Sequence, residues 1–486
     1  MTLLDTATWN GMLYSDGWVE AAGGTFAVRS PATREEIGRV GVATGADVAR
    51  ACARAAEAQP AWAATPYTER AAVLRRAGQL WEQHAAEVGD WIVREAGSIP
   101  PKAGVETDIA AQECYEAAAL ASHPLGEIIP SALPRLSLAR RLPVGVVGVI
   151  APFNYPLILA IRSVAPALAL GNAVVLKPDA RTAVAGGVTI ARVFEEAGLP
   201  EGLLHVLPGG VETGEALVAD PHVPVISFTG STAAGRKVGE AAARHLKRAH
   251  LELGGNSALI VLDDADLDLA VSAGAFGSFL HQGQICMATG RHLVHQSLAD
   301  RYVEQLAEKA DHLPVGDPAK EQVALGPIID ENQRNKVHSL VMASVDAGAR
   351  LAAGGKYDGL FYRPTVLADV TTAMPAYEQE VFGPVAPVVP FADLDEAVAI
   401  ARDTEYGLSV GILSRDVMKA KELADRIPSG IVHINDQTVS DEAVAPFGGV
   451  GASGTGSRFG GPAANVEAFT VTQWLTMQGV IPRYPF

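Results

Sequence analysis

Between residues 144 and 255 short apolar runs alternate with helical stretches, and this limits the possible folds more than any other feature. Runs at Val144–Ile150, Ala173–Leu176, Leu203–Leu207, Val225–Phe228 and His250–Leu253 read as buried strands. Helical stretches at Pro156–Leu170, Ala183–Ala197 and Thr232–Arg248 lie between them. Strands joined through helices pair in parallel, so this region predicts a doubly wound α/β sheet. Ligands bind such sheets outside the carboxyl ends of the strands. A second α/β stretch follows from about 257 to 440, with strands expected at Ala258–Leu262, His292–His295, Val385–Pro390, Ser409–Leu413 and Gly430–Ile434.

The flanks differ. After a short β start, the first 120 residues carry apolar side chains at helical spacing. The Pro-rich segment 123–143 alternates around Leu136–Leu142, as an extended hairpin leaving the globule would. The segment Asn465–Gln478 alternates and is rich in β-branched residues, so it reads as a strand in need of a partner, which the hairpin could supply at a subunit edge. The run Pro143–Ile161 carries no charge, but Pro152, Asn154 and Pro156 interrupt it, so a strand, a turn and a helix are expected there rather than a membrane span.

The net charge of −17 opposes binding to nucleic acid or an anionic lipid surface. Three cysteines, Cys52, Cys114 and Cys286, make no disulfide framework or zinc spacing, and no metal site is expected. With no basic-then-apolar leader at the start, a reducing cytoplasm is the expected compartment. The acidic run Asp263–Asp268 lacks a calcium loop's glycine and terminal glutamate, and reads as a helix cap.

Several residues could carry chemistry, and each also has an ordinary reading. The turn "SFTGSTAAGRK", with Gly230, Ser231 and Gly235, could offer N–H groups to a phosphate or be a capped turn. Lys177 ends a strand and could meet a ribose or phosphate, or only solvent. Glu252, inside an apolar run and before two glycines, suits a partly desolvated general base, or is a plain glutamate. Asn154, at a strand-to-helix turn, could donate to an oxyanion. Cys286, in "HQGQICMATGRH", is a candidate nucleophile or a core filler.

Taken together, these segments resemble the NAD(P)-dependent aldehyde dehydrogenases. "FNYP", "LKPD", "FTGSTAAG", "LELGGN", "GQICMATGR", "QEVFGPV" and "PFGG" occur in that family's order across about 140 to 450, and Glu252 and Cys286 are 34 residues apart, as the family pattern expects. "LHQGQICMATGRH", "LKPDARTAVAGG" and "NVEAFTVTQWLTMQ" further resemble the aryl-aldehyde branch, which acts on benzaldehyde, vanillin or salicylaldehyde.

The resemblance implies a Rossmann-type cofactor domain (1–122 and 144–255), a catalytic domain (256–440), oligomerisation strands (123–143 and 465–486) and a returning segment (441–464) near the cofactor domain. It implies that Cys286 attacks the aldehyde, that Asn154 and the Cys286 N–H hold the oxyanion, and that Glu252 activates water to hydrolyse the thioester. Lys177 and Glu380 would bind the two riboses. Gly230, Ser231 and Gly235 would face the pyrophosphate, with Pro152, Phe153, Leu253 and Phe382 beside the cofactor. Where the family has an NAD-selecting glutamate, this chain has Ala180, with Arg181 next to it. The expected cofactor is therefore NAD, with Arg181 available to a 2′-phosphate and NADP also competent. Tyr155, Leu159, Arg162, Ile285 and Met287 would line an aromatic pocket. For Arg162 an ion-pair role is favoured over a contact to a ring hydroxyl. A homodimer or homotetramer is implied. An aliphatic or semialdehyde substrate remains an alternative. A CoA-acylating enzyme and an acyl-phosphate reductase are disfavoured by Glu252, and a silent relative by the retained nucleophile, base and lysine.

Overall fold

The computed structural model describes residues 2–486. Two seven-stranded sheets dominate it. The first runs in the order Arg248–Glu252, Val225–Thr229, Val146–Ile150, Ala173–Lys177, Leu204–Val206, Met12–Ser15, Trp18–Glu20. Its first five strands are parallel and its last two antiparallel. Strand order reverses between Val146–Ile150 and Val225–Thr229, which opens a crevice at their carboxyl ends.

The second sheet runs Arg350–Ala353, Thr365–Ala368, Val385–Phe391, Thr289–His295, Ser257–Val261, Ser409–Leu413, Ile431–Ile434, and only Arg350–Ala353 is antiparallel. Four residues, 253–256, link the end of Arg248–Glu252 to the start of Ser257–Val261. The carboxyl end of the first sheet is thereby joined to the amino end of the second, and the candidate site lies at this seam.

A third, antiparallel sheet joins Gly126–Ile128, Leu136–Pro143 and Thr470–Met477, paired from Thr470 with Pro143 to Met477 with Leu136. It leaves Ile128 and Trp474 exposed. The main apolar core gathers side chains from Leu3 to Leu253 and also takes in Phe459, Val466, Ala468 and Phe469, so the C-terminal segment returns to it. No helix among the described residues is long and apolar enough to cross a membrane. The uncharged run resolves into strand Val146–Ile150, a turn, and helix Pro156–Ala169 with proline in its first turn.

Three expectations need correction. The tail strand begins at Thr470, because residues 465–469 complete the helix Pro462–Phe469. The helix expected over Thr232–Arg248 stops at Arg244, because Arg248 starts a strand and its guanidinium donates to the Glu467 and Thr470 carbonyls. The helix expected from Ala183 opens as a π-helix over Val184–Val188, whose Val184 and Ala185 N–H groups donate to the buried Glu95 carboxylate. The wider turn also sets Gly186 close against Pro156, where a Cβ would fall 3.0 Å from the proline. The acidic run caps a helix as expected, through Asp266 and the Leu269 N–H.

Candidate active site

Cys286 lies in the loop that precedes strand Thr289–His295, at the amino end of the second sheet. The loop is forced close to the linker: a Cβ on Gly255 would fall 2.4 Å from the Cys286 carbonyl oxygen. Just upstream, His281 and Gln282 hold left-handed backbone (φ 48° and 57°), a turn that non-glycine residues adopt at a cost and that surrounding contacts must maintain. Gln282 is fixed by donating to the Gly97 and Pro327 carbonyls.

Asn154 is buried on the turn after strand Val146–Ile150, and its Nδ2 donates to the Gln284 carbonyl at 2.9 Å. One amide hydrogen is used there, and a second remains for a ligand oxygen. Behind it, Lys102 donates to the Asn154 carbonyl at 2.7 Å, pairs with Glu106 one helical turn away, and sits 4.0 Å from the Tyr155 ring centroid. Glu106 in turn accepts from the Leu157 N–H. This buried pair pins both ends of the turn that carries Asn154.

Glu252 ends strand Arg248–Glu252, is 2% exposed, and neither carboxylate oxygen makes a hydrogen bond of normal geometry. Burial raises its carboxyl well above the usual range, against Arg458 and Arg162, which favour the ionised form. Burial likewise pushes the Cys286 thiol up to about 12, with the Glu380 and Glu252 carboxylates adding to the shift. Nucleophile and base thus feel one another's charge.

The apolar wall beside Cys286 consists of Ile285, Met287, Leu408 and Phe447, with Tyr155 and Val439 packed on it. Leu159 and Arg162 follow Tyr155 on one face of helix Pro156–Ala169, and both are buried. Arg162 pairs with Asp441, lies 3.7 Å from Glu113, and sits over the Phe447 ring at 4.7 Å, so it has the ion-pair partners the sequence suggested. Its Nε and Nη1 nonetheless have no partner.

The crevice of the first sheet holds the remaining candidates. Lys177 ends its strand half-buried, and its one bond is a long 3.4 Å contact to the Pro178 carbonyl. Ser231 caps helix Thr232–Arg244 through the Ala234 N–H, leaving other first-turn N–H groups for a ligand or water. Glu380 accepts from the Gly255 N–H with one oxygen, and burial raises its carboxyl to about 7. Phe153 and Phe382 meet edge to face at 5.9 Å; Pro152, next to Phe153, and Ala180, next to Arg181, are half-buried. A cation, free N–H groups, a carboxylate and an aromatic pair along one crevice fit an extended ligand with phosphates, ribose hydroxyls and a flat ring.

Three of these residues already have partners within the fold. The Gly230 N–H is spent on the Glu252 carbonyl at 3.0 Å. Gly235 is buried beneath Leu253, whose Cδ2 would lie 2.2 Å from an added Cβ, so packing alone calls for a glycine there. Arg181 is not a free cation: it chelates Asp179, bonds Asp330 at 2.6 Å and covers Phe153 at 4.2 Å. A 2′-phosphate would have to compete with two carboxylates for it.

Sequence reasoning missed Lys102, Glu106, Glu113, Asp441 and Arg458, and read Phe447 only as part of the "PFGG" motif. The i, i+4 spacing of Lys102 and Glu106 was a usable signal. The others come from segments far apart in the chain and carry no local pattern.

The aldehyde dehydrogenase family model matches residues 18–475. A vanillin dehydrogenase of Amycolatopsis sp. is 70% identical over 486 residues, covering 100% of both chains. A benzaldehyde dehydrogenase [NAD(+)] of Pseudomonas putida is 52% identical, covering 98% of each. The crystal structure of a salicylaldehyde dehydrogenase from Pseudomonas putida G7, complexed with salicylaldehyde, superposes with a TM-score of 0.94 at 37% identity, covering 98% of this chain and 99% of that one. The chain belongs to the aldehyde dehydrogenase family.

Proposed function

We propose that this enzyme oxidises aromatic aldehydes of the benzaldehyde and vanillin type to carboxylic acids, with NAD as electron acceptor. The observation that carries the reading is Cys286 on a loop that the buried Asn154 amide holds, within the field of a buried, unbonded carboxylate, Glu252, against an apolar wall that includes Tyr155 and Phe447. The vanillin and benzaldehyde dehydrogenases at 70% and 52% identity support the aromatic substrate, and the benzaldehyde enzyme's name supports NAD.

Cys286 adds as thiolate to the aldehyde carbon, forming a carbon–sulfur bond and a tetrahedral oxyanion. The free Asn154 amide hydrogen and the Cys286 N–H stabilise that charge as it forms. NAD, when bound, would supply the acceptor for the hydride that leaves the adduct carbon, and a thioester on Cys286 would remain. Glu252 then takes a proton from water, which attacks the thioester carbon; the carbon–sulfur bond breaks and the acid leaves. Tyr155, Leu159, Ile285, Met287 and Phe447 hold a flat ring and keep bulk water out. Lys177 and Glu380 bind the cofactor riboses, Ser231 and the helix it caps face the pyrophosphate, and Phe153 and Phe382 border the nicotinamide.

The wider organisation belongs to the same proposal. The first sheet with residues 1–122 is the cofactor domain, residues 256–440 the catalytic domain, and 441–464 a returning segment. The exposed strands Gly126–Ile128 and Thr470–Met477 build a dimer or tetramer. Three unpaired cysteines suit a cytoplasmic enzyme.

The test is the initial rate of reduced-nicotinamide formation with benzaldehyde, vanillin and hexanal, each with NAD and NADP. Fast aromatic turnover with NAD is expected; a preference for hexanal would discard the aromatic pocket. Because Arg181 is already paired, NADP is expected to be the weaker cofactor, and a preference for NADP would contradict the placement of Arg181.

A further inference from the structure

The segment after the "PFGG" turn runs back along the base. Leu253 donates to the Ser453 carbonyl at 2.9 Å, Thr455 donates to the Leu251 carbonyl at 3.3 Å, and Glu252 and Gly454 form a single antiparallel bridge. This short pairing brings Arg458 to Glu252. A Cβ on Gly448 would lie 2.8 Å from both Arg458 Nη1 and Glu252 Oε1, so the two groups are close neighbours, although they form no direct ion pair. Arg458 Nη1 is held at 3.0 Å by the Gly449 and Ser457 carbonyls, which neutralise no charge. Arg458 also lines an open cleft of about 500 Å³, together with His250 and Ser457.

The charged surroundings of Glu252 come from several elements. Helix Pro156–Ala169 supplies Arg162, but Asp441 and Glu113 already balance it. The returning segment itself also supplies Asp441 and the Gly449 N–H, and the nucleophile loop supplies Cys286. Arg458 alone among these brings a positive charge that no carboxylate pairs.

We infer that Arg458 is a positioning residue for acyl-enzyme hydrolysis: its uncompensated charge, locked by two carbonyls beside Glu252, favours the ionised base in a site that otherwise favours its neutral form. Burial raises the Glu252 carboxyl, and Arg458 is the first group opposing that shift. The inference rests on the covalent mechanism proposed above.

The experiment separates charge from hydrogen bonding. Arg458→Gln keeps donors without charge, and Arg458→Lys keeps charge without the two-pronged donor. Acyl-enzyme is formed from 4-nitrophenyl benzoate: the Cys286 sulfur bonds the acyl carbon and nitrophenolate leaves. Its hydrolysis is followed by acid quench and intact-protein mass spectrometry from about pH 5 to about pH 9. In wild type the adduct should persist at low pH and clear as Glu252 ionises. In Arg458→Gln the acid limb should move up by about one pH unit, slowing hydrolysis about tenfold at neutral pH. In Arg458→Lys it should stay at the wild-type position. An unmoved limb in the glutamine variant, or a lysine variant that fails alongside it, would overturn the inference. Circular dichroism checks that each variant is folded. Absence of any adduct in wild type would overturn the covalent mechanism, and this inference with it.

Discussion

Asn154 donates its side-chain amide to the carbonyl of Gln284, two residues before the nucleophile, at 2.9 Å. This single bond ties the first sheet's carboxyl edge to the loop that opens a strand of the second. It leaves one amide hydrogen beside Cys286, held by a turn that Lys102 and Glu106 brace from behind.

Replacing Asn154 by Ala should therefore lower kcat by about 100-fold to 1,000-fold, the usual loss for one oxyanion donor. Substrate KM should change much less. Steady-state kinetics with benzaldehyde check this; an unchanged kcat would remove Asn154 from the chemistry.

The pair behind it acts at a distance. Lys102→Met leaves Glu106 buried without its cation, a change that typically costs about 3–5 kcal/mol of stability. A thermal melt should show a clear fall, and Lys102→Met with Glu106→Gln should recover part of it. Equal losses in the single and double variants would argue against coupling.

Without cofactor, the Cys286 thiol, raised to about 12, is almost wholly protonated at neutral pH. Alkylation by iodoacetamide needs the thiolate. The rate should rise with pH across the neutral range, with no plateau below about pH 9. A plateau near neutrality would show a thiol far more acidic than its buried, carboxylate-flanked setting allows.

The third sheet makes a prediction about assembly. Truncation before Thr470 removes the longest partner of Leu136–Pro143 and the exposed Trp474. Light scattering should show a smaller particle than the full chain. An unchanged mass would refute the role of these strands in assembly.

Much of this was legible in the sequence, for a physical reason. Strands such as Val225–Thr229 and Ser409–Leu413 are buried on both faces, so they show as continuous apolar runs. Cys286, Glu252 and Asn154 stand at the ends of such runs, where alternation breaks and the resemblance to a family is sharpest. Arg162 was readable as an ion-pair residue because a lone guanidinium in an apolar helix needs a partner, although its partners Glu113 and Asp441 could not be named. Arg181 shows the limit. Its position suggested a phosphate site, yet Asp330, 149 residues away, already occupies it. Arg458 was invisible for a similar reason: only a one-residue bridge brings it to Glu252, and one bridge leaves no periodic trace.

The most direct test of the covalent account is Glu252→Gln mixed with benzaldehyde and NAD. The account predicts one equivalent of reduced nicotinamide per active site, then a stall, with a benzoyl mass on Cys286 that is absent in Cys286→Ala. Steady turnover at the wild-type rate with no adduct would contradict both the nucleophile and the base.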